Sequence, residues 1–140
     1  MKTPFHVWIV GIIALIWNAG GAYDYVMTQT ENEAYLAMLS DAQKAFLDNG
    51  PIWFETAWAI GVWFSMLGAL LLLLRSRLAG PAFGLSLVGL IVSSVYSFGI
   101  ADRTGMDMTP TQLGFTAAIY VVLVLLWVYA RAMTRRGVLR

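Results

Sequence analysis

Four stretches of this chain, residues 5–22, 52–74, 81–100 and 113–133, are apolar almost throughout, and their length dictates the fold. An α-helix rises about 1.5 Å per residue, so about 20 residues cross the roughly 30 Å of hydrocarbon in a bilayer. Each stretch is long enough. A helix buried in a soluble protein normally keeps a polar face, yet residues 61–74 and 119–130 hold nothing more polar than Ser65, Tyr120 and Tyr129. Hydrophobic residues make up 59% of the chain and charged ones 12%, against roughly 25% charged in ordinary soluble domains. The expectation is an all-α, integral membrane four-helix bundle, with residues 1–140 forming a single transmembrane domain.

The charges orient it. Lys2, Arg75, Arg77, Arg131, Arg135, Arg136 and Arg140 all fall at one set of helix ends, leaving only Lys44 and Arg103 at the other. Short loops rich in Lys and Arg stay cytoplasmic, so both termini are expected inside. All the acids, Asp24, Glu31, Glu33, Asp41, Asp48, Glu55, Asp102 and Asp107, fall on the opposite side. Trp8, Trp127 and Tyr129 sit near the inner boundary, and Trp17, Tyr23, Tyr25 and Trp53 near the outer one, where amphipathic rings prefer to lie. A net charge of +1 gives no footing for a nucleic-acid partner. With no cysteine there is no disulfide, thiolate nucleophile or Cys-based metal site.

The stretch Trp17 to Tyr25, WNAGGAYDY, reads as the outer end of the first helix, with Asn18 turned inward and Asp24 reaching water. Lys2, the apolar core and the small residues Gly20 and Ala22 also fit a signal peptide; the segment is read as the first span. Beyond it, residues 23–51 form the only long connection, with an amphipathic helix expected over about 31–48. Thr30 and Glu33 have the spacing of a capping box, and Gly50 with Pro51 makes a stop. Tyr35, Met38, Leu39, Ala42 and Phe46 recur at helical spacing, with Asp41, Lys44 and Asp48 elsewhere on the helix. Its acidic polar face suits a lid packed on the bundle better than a helix lying on anionic lipid. Residues 75–80 form a tight inner turn, with Pro81 suited to the first turn of the next helix. Thr109, Pro110 and Gln112 mark the start of the last helix.

Helices in lipid associate through small residues and polar contacts. Gly11, Ala14, Asn18 and Gly21 share one face of the first helix; Gly61, Ser65 and Gly68 share one on the second. Ser86, Gly89, Ser93 and Ser97 share one on the third, with Ser94 beside them. The serines are read as packing residues that bond back to their own helix. Asn18 and Glu55 are expected at nearly the same depth, and Asp24, Arg103 and Gln112 at the outer helix ends. One reading pairs Glu55 with Arg103, or has it cap a neighbouring helix, and lets Asn18 bridge helices. The other is an outward-facing polar pocket, lined by Trp17, Trp53 and Trp58, for a cation or polyhydroxylated solute. His6 is read as an interfacial residue and Met106, Asp107 and Met108 as an ordinary loop, though a soft copper site has that composition. No Ser/His/Asp set, phosphate loop or zinc motif is present, so no cofactor, metal or catalysis is expected.

The runs IWNAGGAYDY, PIWFETAWAIGVW and LGALLLLLRSRLAGPAFGLSL resemble a group of small bacterial four-span proteins, some of which carry a sugar-transporter label. The resemblance covers most of the chain and implies a bacterial inner-membrane location, but it brings no site residue with it. Three roles follow as expectations. The first is a non-enzymatic scaffold or accessory subunit, as a homo-oligomer or with a partner membrane protein among membrane lipids. The second is transport or binding of a small-molecule solute, and the third an enzyme acting on lipid or quinone.

Overall fold

A computed structural model of the chain describes residues 3–48, 50–100 and 110–140. Among the described residues the regular structure is entirely helical: α1 (Phe5–Gln29), α2 (Glu33–Leu36), α3 (Asp41–Asp48), α4 (Ile52–Leu73), α5 (Ala79–Val95) and α6 (Pro110–Arg135). A π-helical turn, Tyr96–Ile100, prolongs α5. Four of these elements are long and apolar enough to cross a membrane: α1, α4, α6, and α5 with its π turn. They fall on the four apolar stretches. Thr109, the expected cap of α6, lies outside the described residues.

The main departure is at the end of α1. The helix does not stop near Gly20 and Gly21 but continues to Gln29, so the WNAGGAYDY stretch lies inside it. Its true terminus is a Schellman motif: the Glu31 N–H donates to Thr28 O at 3.2 Å and the Asn32 N–H to Met27 O at 3.1 Å. Glu31 takes the left-handed position, φ 53°, that glycine usually fills. The same motif ends α4, with Arg75 at φ 57°, Arg75 N–H on Leu72 O and Ser76 N–H on Leu71 O. After α6 a glycine, Gly137 at φ 76°, holds that position.

The expected single helix over 31–48 is two short ones. Thr30 does not cap it, because its hydroxyl bonds back to Val26 O at 2.7 Å within α1. Asn32 caps α2 instead, its Oδ1 accepting from the Tyr35 N–H at 3.0 Å. The capping box lies further on. The Gln43 N–H donates to Ser40 Oγ at 3.1 Å, and the Ser40 N–H to Gln43 Oε1 at 2.9 Å. Between these two local signals the chain turns, and α2 and α3 lie across the acid-bearing end of the long helices as a lid.

Packing runs in chain order, α1 on α4, α4 on α5 and α5 on α6. The tightest seam joins α4 and α5. A Cβ on Gly89 would come within 2.7 Å of Ala57 O and 2.8 Å of Gly61 N, and Ser86 Oγ donates to Gly61 O at 2.6 Å. Ser65 and Ser93 bond back to Val62 O and Leu90 O, at 2.9 and 3.0 Å. Gly68 faces Phe83 and Gly11 faces Leu73. Gly21, expected on the same inward face as Asn18, is exposed. On α6, Tyr120 bonds Ser94 and reaches Leu90 O at 3.3 Å. Val7, Leu72, Phe83, Leu126, Ala130 and Met133 fill the core toward the arginine-bearing end, where Val138 and Leu139 fold back into it. The Arg140 N–H closes that end on Arg75 O at 2.8 Å.

Candidate functional site: a cavity among the long helices

Between α1, α4, α5 and α6, on the lid side of the core, lies a cavity of about 640 Å³. Its walls are mainly apolar: Trp17 of α1, Trp58 and Val62 of α4, Leu90 of α5, and Phe115 and Ile119 of α6. Ser65, Ser86 and Ser93 also border it, but their hydroxyls donate to helix carbonyls. Asn18 differs. Its Nδ2 is buried and has no hydrogen-bond partner among the described residues. An amide NH₂ carries two donors, and leaving a buried donor unsatisfied costs about 1–3 kcal/mol.

The lid closes one end. Tyr35 of α2 reaches the cavity and donates its hydroxyl hydrogen bond to the Asp24 carboxylate, while Tyr23 packs edge-on against its ring, 6.1 Å between centroids. Burial, the bond to Asp24, and the charges of Asp24 and Tyr23 push the Tyr35 phenol up to about 12. Asp24 therefore holds a neutral phenol over the end of the cavity. Beyond it α3 is anchored through Phe46, which packs against Phe54 and Tyr96 with centroids 5.7 and 5.9 Å apart. Tyr96 opens the π turn and also contacts Phe54 at 4.6 Å.

Of the residues expected in a polar pocket, Trp17, Asn18, Asp24 and Trp58 border this cavity. Glu55 does not. It opens on a separate cleft of about 440 Å³ beneath the lid, with Glu31, Glu33, Lys44 and Asp48, and only Trp58 belongs to both spaces. Trp53 packs edge-on against Tyr96 at 5.5 Å. Arg103 lies outside the described residues, as do Met106, Asp107 and Met108. Gln112 sits in the first turn of α6, with its side chain outside what is described. His6 shares a hydrogen bond with the Tyr129 hydroxyl near the arginine-bearing end.

Tyr35 and Phe115 are among the cavity-lining residues that sequence reading did not assign to a pocket. Tyr35 was legible only as part of the apolar face of a lid helix. Its pairing with Asp24 depends on α1 continuing past the two glycines, and nothing local in the sequence announces that.

Comparison of the chain with protein-family models, with curated proteins and with solved structures gives no match.

Proposed function

We propose that this chain is a multi-pass protein of the bacterial inner membrane, with both termini in the cytoplasm, that binds a small molecule without transforming it. One observation carries the reading: an amide donor with no partner, buried in the wall of a cavity of about 640 Å³. Ligand sites in proteins are typically about 300–1,000 Å³ and mostly apolar, with a few placed polar groups. The Asn18 amide supplies such a group, and Tyr35 with Asp24 supplies a second at the lid. The concentration of arginine at one end of the long helices supports the orientation. The tightest small-residue seam, Ser86 and Gly89 against Gly61, is occupied by the joining of α4 to α5. Binding is therefore preferred to a scaffold role.

The test is a ligand panel on protein reconstituted in lipid nanodiscs, containing sugars, organic cations, quinones and acylglycerols. At least one class is expected to raise Tm in a saturable way, and Asn18→Leu is expected to remove that shift. A panel in which no class stabilises the wild-type protein contradicts the reading.

A further inference from the structure

Resting on the cavity as a binding site, we infer that its ligand is an uncharged amphiphile dissolved in the bilayer, carrying a hydrogen-bond-accepting carbonyl, and that it arrives sideways between α1 and α6. The class of ligand follows from the wall. Asn18 Nδ2 is a buried donor without a partner among the described residues, and the serines that border the same cavity donate to helix carbonyls. A sugar would bring many hydroxyls against Leu90, Phe115 and Ile119, where they would lose water and gain nothing. No lysine or arginine borders the cavity among the described residues, and Asp24 stands at its lid end. A phosphate or carboxylate head would be uncompensated there. A cation would suit Asp24 but would give the Asn18 donor nothing to bond; the class that meets the orphaned amide is a neutral head with one strong acceptor and an apolar body, which a quinone and an acyl ester share.

The route follows from the seam. Among the described residues α1 and α6 approach each other much less closely than the other neighbouring long helices do. Beside the cavity they meet through Trp17 and Phe115, ring centroids 5.7 Å apart and tilted by 45°. Ile16, Trp17 and Phe115 border the cavity and yet are 69%, 37% and 58% exposed. These exposed side chains bring the cavity to the surface of the bundle along the α1–α6 seam. Gly20, next along α1, would have nothing within 4 Å of an added Cβ. On the lid side the cavity meets Tyr35 hydrogen-bonded to Asp24, and a second cleft of about 390 Å³ shares those two residues with it. A water-borne solute meets the Tyr35–Asp24 hydrogen bond and the Asp24 charge; a molecule in the hydrocarbon meets a tryptophan and a phenylalanine that only rotamer changes need move.

The chain has no cysteine, so Trp17→Cys with Phe115→Cys can be bridged across the seam by a short reducible thiol cross-linker. The probes are a decyl-substituted benzoquinone and a brominated monoacylglycerol, added through the bilayer of nanodiscs and read by quenching of tryptophan, Trp58 being in the wall. Glucose and choline are supplied in water and read by Tm shift, and brominated phosphatidylglycerol serves as the charged amphiphile. One neutral amphiphile is expected to quench saturably, and which one does so identifies the acceptor as a quinone or an ester carbonyl. Asn18→Leu is expected to weaken it about tenfold, the worth of one good hydrogen bond to a buried donor. Cross-linking is expected to slow its quenching at least about tenfold, with recovery on reduction in the same sample, which controls for folding. Stabilisation by glucose or choline with neither amphiphile binding overturns the ligand class while leaving the binding site standing. Equal rates in bridged and reduced protein overturn the sideways route. Preferential binding of the phosphatidylglycerol overturns the requirement for a neutral head, and silence from every probe overturns both this inference and the binding function beneath it.

Discussion

Adding one methyl group to Gly89 tests how closely α4 and α5 are held. The Cβ of Gly89→Ala would sit 2.7 Å from Ala57 O, 2.8 Å from Gly61 N and 2.9 Å from Ile60 Cγ2. Two of these three are backbone atoms, which no rotamer change can move. The helices must part, and the Ser86 bond to Gly61 O, now 2.6 Å, must lengthen with them. Overpacking of this kind costs about 1–3 kcal/mol, and an interhelical hydrogen bond in a membrane protein is worth about 0.6 kcal/mol. Against this, alanine gains up to about 1 kcal/mol over glycine in helix propensity. The net expectation is a loss of about 1–2.5 kcal/mol. Gly114→Ala on α6 is the matched control, because its Cβ would meet nothing within 4 Å and only the propensity gain of up to about 1 kcal/mol remains. Reversible unfolding of both variants in the same detergent or nanodisc, by denaturant titration, gives the comparison. If Gly89→Ala is as stable as Gly114→Ala, the close approach of the two helices is wrong.

The left-handed residue at the end of α1 makes an opposite prediction: Glu31→Gly relieves a position where an L side chain costs about 1–2 kcal/mol, offset by the entropy of an added glycine. A gain of about 0.5–1 kcal/mol in the same unfolding assay is expected, and a loss would contradict the Schellman ending. The phenol of Tyr35 should titrate near 12, against 10.0 for an ordinary tyrosine, and Asp24→Asn should bring it down by removing the charge and weakening the bond to a neutral one. Because the folded value lies above the ordinary one, the contribution to stability is intact below pH 10 and is lost as pH rises through 12. Tyrosinate absorbance of wild type minus Tyr35→Phe measures it; a midpoint near 10 that Asp24→Asn does not move would remove the latch.

The features that sequence made legible are those whose physics is local. The four long helices follow from the length and apolarity of their own residues, and the α4–α5 seam from glycines and serines at three- and four-residue steps. The ends were harder to read, because Glu31 and Arg75 stand where a glycine would have signalled a stop, while Gly20 and Gly21 suggested one in the middle of α1. That displacement hid the cavity's lid. With α1 ending early, Asp24 belonged to a loop and Tyr35 to an amphipathic helix, and their hydrogen bond had no precursor in spacing or composition. Asn18 was legible as an inward-facing amide on helical periodicity. That its Nδ2 finds no partner among the described residues, while the serines of the same cavity donate to helix carbonyls, is a matter of rotamers that no periodicity records. Glu55 shows the converse: its depth matched that of Asn18, but Trp58 stands between the cleft it opens on and the cavity.

The most direct measurement is a high-resolution structure of protein extracted with its surrounding lipid by a membrane-active polymer, without added ligand. Density for a bound small molecule is expected between α1, α4, α5 and α6, with an acceptor atom about 3 Å from Asn18 Nδ2. A closed α1–α6 seam, with no space among the four helices and the Asn18 amide bonded to a neighbouring helix, would contradict it.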